Sequence, residues 1–69
     1  MSENLIEAIQ SKCEELRTVY LPAYKSIGPM GIFAVTMIVS AMHEAEGAIA
    51  SGDTVAMVRS LQELRDFRL

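Results

Sequence analysis

The sequence predicts an all-α fold: an antiparallel helical hairpin with a third packing helix, assembled as a homo-oligomer. Three observations lead there. Apolar residues recur every three or four positions through three segments. The helix-stop and helix-start signals Pro22, Gly28, Pro29 and Gly52 fall between those segments. Finally, 51% of the 69 residues are hydrophobic, and mean hydropathy is positive. A chain this short buries only about 60% of its unfolded surface, so that much apolar surface asks for a second copy to cover it.

The first helix is expected over about 2–21. Asn4 followed by Glu7 has the form of a capping box, with Ser2 as an alternative cap. Ile6, Ile9, Cys13, Leu16 and Tyr20 are spaced 3, 4, 3, 4 and share one stripe. Glu7, Lys12, Glu14, Glu15 and Arg17 fall largely outside it and are read as solvated. Pro22 lacks a backbone donor and restricts Leu21, so the helix should stop there. Residues 22–29 are then a connector, and Gly28-Pro29 signals the next helix start.

The second helix is expected over about 29–50. From Met30 to Met42 it is apolar on nearly every face, interrupted only by Thr36 and Ser40. A membrane span needs about 20 apolar residues. This run is shorter and is bounded closely by Lys25, His43, Glu44 and Glu46, so no membrane partner is expected. A helix apolar all round must instead be buried all round. Met30, Phe33, Met37, Ile38 and Met42 are the expected oligomer interface. Farther along, Ala45, Gly47 and Ala48 are small enough to let a neighbouring helix approach. Gly52 suits a left-handed helix end, and Asp53 or Ser51 can cap the third helix. That helix is expected over about 53–68. Met57 or Val58, Leu61, Leu64 and Phe67 or Arg68 face inward, with Arg59, Gln62, Glu63, Arg65 and Asp66 on the wet side.

Several function classes are disfavoured. Net charge is −3 and the six basic residues are scattered, whereas a general nucleic-acid binder needs a basic face. The single cysteine precludes an intrachain disulfide, and Cys13 with His43 is too small a set for structural zinc. Cys13 is read as a small core residue and His43 as a structural, partly exposed one. No arrangement of Ser, His, Asp or Cys carries catalysis, so neither an enzyme activity nor a cofactor is expected. An acidic, polar start and a lone thiol point to the cytoplasm.

One ligand signal remains. Tyr20, Tyr24, Lys25, Ser26 and Gly28 lead into a helix N-terminus, whose free N–H groups attract phosphate. A tyrosine ring there can stack on a nucleobase. The ordinary alternative is an interhelical loop with the tyrosines packed as anchors.

The segment Ala34-Val35-Thr36-Met37-Ile38, followed by Ala41, Ala45, Ala48, Ile49 and Ala50, resembles the second helix of the phage helical-hairpin sponges. Those small homo-oligomers sequester cyclic nucleotide signals of the CBASS and Thoeris defence systems. The resemblance implies a cyclic nucleotide held at subunit boundaries, and it adds Thr36 to the ligand set. Gly28-Pro29-Met30 stands where the family has a polar Ser-Arg-Glu type start, and His43-Glu44 where it has a Met-Trp pair. The third helix lies outside the match. Ala50-Ser51-Gly52-Asp53 with an apolar third helix also resembles short phage and prophage proteins. Two functions therefore stand side by side. One is a phage-type counter-defence or host-inhibitory module that binds a host protein. The other is a sponge for a cyclic nucleotide.

Overall fold

The computed structural model describes residues 4–68. Helix α1 spans Leu5–Glu15, a π-helical turn covers Leu16–Tyr20, and α2 spans Leu21–Ser26. Helix α3 spans Pro29–Ser51 and α4 spans Thr54–Arg65. Among the described residues there is no strand, so the all-α expectation holds.

The start of α1 follows from local chemistry. The Asn4 side chain accepts from the Glu7 N–H at 2.8 Å, and the Glu7 carboxylate accepts from the Asn4 N–H at 3.3 Å. This reciprocal pair satisfies two of the donors that a helix start leaves free. Ser2, the alternative cap, lies outside the described residues. Ile9, Cys13 and Leu16 are buried as the stripe predicts, and Tyr20 is half-buried. Ile6 is a correction. It is exposed, and Leu5 and Ala8 take the inward positions of the first turn.

The predicted stop at Pro22 is also corrected. The chain stays helical to Ser26, so the connector shrinks from residues 22–29 to Ile27 and Gly28. The π turn makes this workable. The Leu21 N–H donates to the Leu16 carbonyl, five residues back, and Tyr20 keeps helical dihedrals of φ −76° and ψ −47°. Pro22 then falls in the first turn of α2, where a missing N–H matters least and the ring fits. Inside an unbroken α-helix the same ring would press on the Thr18 carbonyl.

Gly28 turns the chain with φ 79°, a left-handed value that glycine adopts without strain, and Pro29 opens α3. The other end of α3 closes on Gly52 at φ 70°. The Asp53 side chain accepts from the Ala56 N–H at 3.1 Å and caps α4. Helix α4 ends at Arg65, short of the predicted residue 68.

Helix α4 lies against both α1 and α3, while α1 and α3 touch each other only slightly. Helices α1 and α3 are thus held together by α4, while α2 packs directly on α3. Ile9, Leu16, Ile38, Ala45 and Leu64 are sealed at the centre, with Cys13, Met42, Met57 and Leu61 around them. Burying each large apolar side chain of this set stabilises the fold by about 1.5–3 kcal/mol. Ala41, Ala45 and Ala48 supply the small surface that α3 turns inward. Gly47 does not share this role: it is exposed, with open space where a Cβ would stand.

Candidate functional site

Helix α3 divides into two halves. Its C-terminal half carries Ile38, Ala41, Met42, Ala45 and Ala48 into the core. Its N-terminal half is covered on one side only, by α2. Gly31 is buried there, and Ala34 and Val35 are half-buried. The opposite side is bare: Met30 is 82% exposed, Phe33 80%, Ile32 63% and Met37 61%, with Ile27 of the preceding turn at 58%. Helix α4, at 12 residues, packs where the buried half of α3 lies and leaves the other half uncovered.

Two of the five residues assigned to an oligomer interface are therefore corrected. Ile38 has no exposed surface and Met42 is 7% exposed, so both serve this chain's own core. Met30, Phe33 and Met37 stand on the exposed face. They succeed one another at spacings of three and four, which aligns them along a single seam of the helix. No charged residue stands between Lys25 and Glu44.

Helix α3, at 23 residues, also has the length and apolarity of a membrane-crossing helix. The same helix supplies much of the core.

The six candidate ligand residues are not gathered into one cavity. The Tyr20 ring lies under the Lys12 ammonium, 5.3 Å from ring centre to nitrogen, a cation–π contact that closes one side of it. The Tyr24 hydroxyl donates to the Arg68 carbonyl and so ties α2 to the end of the chain. The Ser26 hydroxyl donates to the Ala23 carbonyl at 2.7 Å. Gly28 makes the turn, and Lys25 is exposed. Thr36 lies two helical turns along α3 from Gly28. Both tyrosines are half-buried and pack against the core.

Thr36 instead borders a groove of about 560 Å³ between α3 and the end of α4. Met37, Ala41 and Phe67 give it an apolar floor, and Glu44, Glu63 and Asp66 give it an acidic rim. In the sequence Glu63 and Asp66 read only as part of the wet face of the third helix, whereas the fold sets them opposite Glu44. Their i, i+3 spacing is the one signal of it that the sequence carries.

A second groove, about 390 Å³, runs between α1 and α3 past Cys13, Arg17 and Glu46. Cys13 is a free, buried thiol. Burial pushes its pKa up, the negative charge of Glu46 adds to the rise, and Arg17 opposes it. Such a thiol stays protonated and is a poor nucleophile. Among the described residues no group of three or more His, Cys, Asp or Glu side chains is placed to hold a metal ion.

Family models, curated proteins and solved structures yield no match to this chain.

Proposed function

We propose that the chain is a non-enzymatic protein–protein binding module that self-associates through the exposed N-terminal half of α3. The observation that carries this reading is the seam Met30–Phe33–Met37, flanked by Ile27 and Ile32 and open to solvent. A large apolar side chain offers about 150–250 Å². At the exposures above, the five together present a patch on the order of 600 Å², at the top of what isolated monomers leave bare. A stable interface takes about 800 Å² from each partner, so a symmetric pairing along this face, with its margins, is of the right size.

The charge pattern favours a second copy as occupant. Each chain carries a net −3, which opposes contact between most pairs of surfaces. The segment between Lys25 and Glu44 is the long stretch free of charge. Two copies meeting there bury apolar surface without bringing like charges together. A two-fold contact needs a patch that complements itself, and an uncharged apolar seam meets that condition. The outer faces of α1 and α4, where Val55 and Val58 are also exposed, are left free for a second protein. Inhibition or adaptation of such a protein by the assembled module completes the reading.

Sedimentation velocity over a range of micromolar concentrations tests it. The wild-type chain sediments as an oligomer, and Phe33→Glu shifts it to a single chain with its helicity intact. A wild-type chain that stays single throughout that range ends the proposal.

A further inference from the structure

The groove between α3 and the end of α4 differs in character from the seam on α3. It has apolar residues below and carboxylates above. We propose that it receives a cationic amphipathic helix from a different protein.

Its shape supplies the first argument. The α3 wall is made by Met37, Ala41 and Glu44, spaced 4 and 3. The facing wall is made by Glu63 in the last turn of α4 and by Asp66 and Phe67 just beyond it. The α3 wall is a helical ridge and the facing wall closes a channel beside it, the kind of groove in which an amphipathic helix lays its apolar face. A guest with apolar residues at i, i+3, i+4 and i+7 would lay them on Met37, Ala41 and Phe67.

Charge supplies the second argument. Glu44, Glu63 and Asp66 form no ion pair among the described residues, whose salt bridges are Lys12–Glu15 and Arg17–Glu14. Glu63 and Asp66 also stand at the C-terminal end of α4, where the helix dipole is already negative and helix stability alone favours basic residues. Arg65 belongs to the other side, where it borders a shallow groove with Lys12 and Glu15. Arg68 donates to the Arg65 and Phe67 carbonyls. The rim thus concentrates negative field beside apolar surface. Lysines or arginines flanking an apolar stripe complement it. A second copy of this acidic chain does not, and this sets the groove apart from the seam.

The test uses the full chain and three labelled synthetic peptides tracked by fluorescence anisotropy at near-physiological salt. One peptide is an amphipathic helix of Leu, Lys and Arg. The second has the same composition with the stripe scrambled. The third replaces its basic residues with Glu. The first should bind about tenfold or more tighter than either control, and added salt should weaken it. The paired change Glu63→Lys with Asp66→Lys, both at exposed positions, should cost about tenfold in affinity. Phe67→Ala should weaken binding by a similar factor, and Val19→Ala, at an exposed position outside both the groove and the seam, should leave it unchanged. The proposal fails if no peptide binds or if the scrambled peptide binds equally. It also fails if affinity responds to Phe33→Glu and not to the groove variants. A change in sedimentation of the chain alone caused by the Glu63/Asp66 pair would assign the groove to self-contact and overturn it as well. Met37 belongs to both the groove and the seam, so sedimentation of each variant is read beside its peptide affinity, and loss of one without the other tells the two proposals apart.

Discussion

The Tyr24 carbonyl oxygen lies 1.8 Å from the point where a Cβ on Gly31 would stand, and the Ile27 Cγ1 lies 2.9 Å from it. Backbone of α2 therefore rests directly on backbone of α3, and only glycine permits that approach. Gly31→Ala should force the two helices apart, since a backbone carbonyl cannot swing away as a side chain would. Overpacking of this kind costs about 1–3 kcal/mol. In a domain this size each kcal/mol shifts the melting temperature by about 4–8 °C. Gly47→Ala is the control, because open space surrounds it in mid-helix. There the better helix propensity of alanine should raise stability by about 0.5–1 kcal/mol. Thermal and urea denaturation of the two variants should move in opposite directions. Equal behaviour would mean that the close approach is not structurally limiting.

Residues whose roles are set within one helical turn were legible in the sequence. The Asn4–Glu7 box, the Gly28-Pro29 start, the Gly52 end and the Asp53 cap all rest on contacts across a few positions. The errors fall where distant segments decide. Pro22 reads as a stop by local rule, yet a π turn places it in a first helical turn. Gly47 and Gly31 look alike in sequence, and only the crossing of α2 over α3 tells them apart. Ile38 and Met42 could not be separated from Met30, Phe33 and Met37, because a segment apolar on all faces has no periodicity to show which face is covered. Tyr20, Tyr24, Lys25, Ser26 and Gly28 fall close together in sequence, but the side-chain contacts of Tyr20 and Tyr24 depend on Lys12 and Arg68.

The division of α3 into a buried and a bare half gives a paired prediction. Ile38→Ala removes a fully buried side chain from the core and should cost about 2–5 kcal/mol. This loss should be the same at every protein concentration. Phe33→Ala acts on a residue 80% exposed within the chain and should leave the stability of a single chain nearly unchanged. It should instead abolish the rise of melting temperature with concentration that self-association confers. Melting curves taken at several concentrations separate the two effects. A concentration-independent wild-type curve would remove the distinction and the interface with it.

Tyr24 offers a smaller test. Its hydroxyl donates to the Arg68 carbonyl, linking α2 to the segment after α4. Tyr24→Phe keeps the half-buried ring and deletes that bond, so the loss should be about 0.5–1.5 kcal/mol. Amide exchange should speed up locally around Phe67 and Arg68 rather than across the core. Lys25→Ala, at an exposed neighbour, should change stability by less than about 0.5 kcal/mol. A large loss from Lys25→Ala would instead mean that the α2–α3 turn depends on charge.

Cys13 makes stability depend on pH at the alkaline end. Burial raises its pKa in the folded chain, and Glu46 raises it further against the opposing pull of Arg17. On unfolding the thiol returns to its ordinary value of about 8.5. Below that value both states hold the proton, and the contribution is fully present. As pH rises past it, the unfolded chain ionises first and is favoured, so stability falls until the folded thiol also titrates. Cys13→Ala keeps a small apolar side chain without the ionisable group. Urea titrations from neutral pH to about pH 10, bracketing that ordinary thiol value, should show wild type losing stability along this limb and Cys13→Ala losing less. The native thiol should also react slowly with a maleimide at neutral pH, at a rate that tracks local opening, because the group is both buried and protonated. Parallel pH curves for the two proteins would show that the thiol is solvated in the folded chain and that the α1–α3 groove admits water to it.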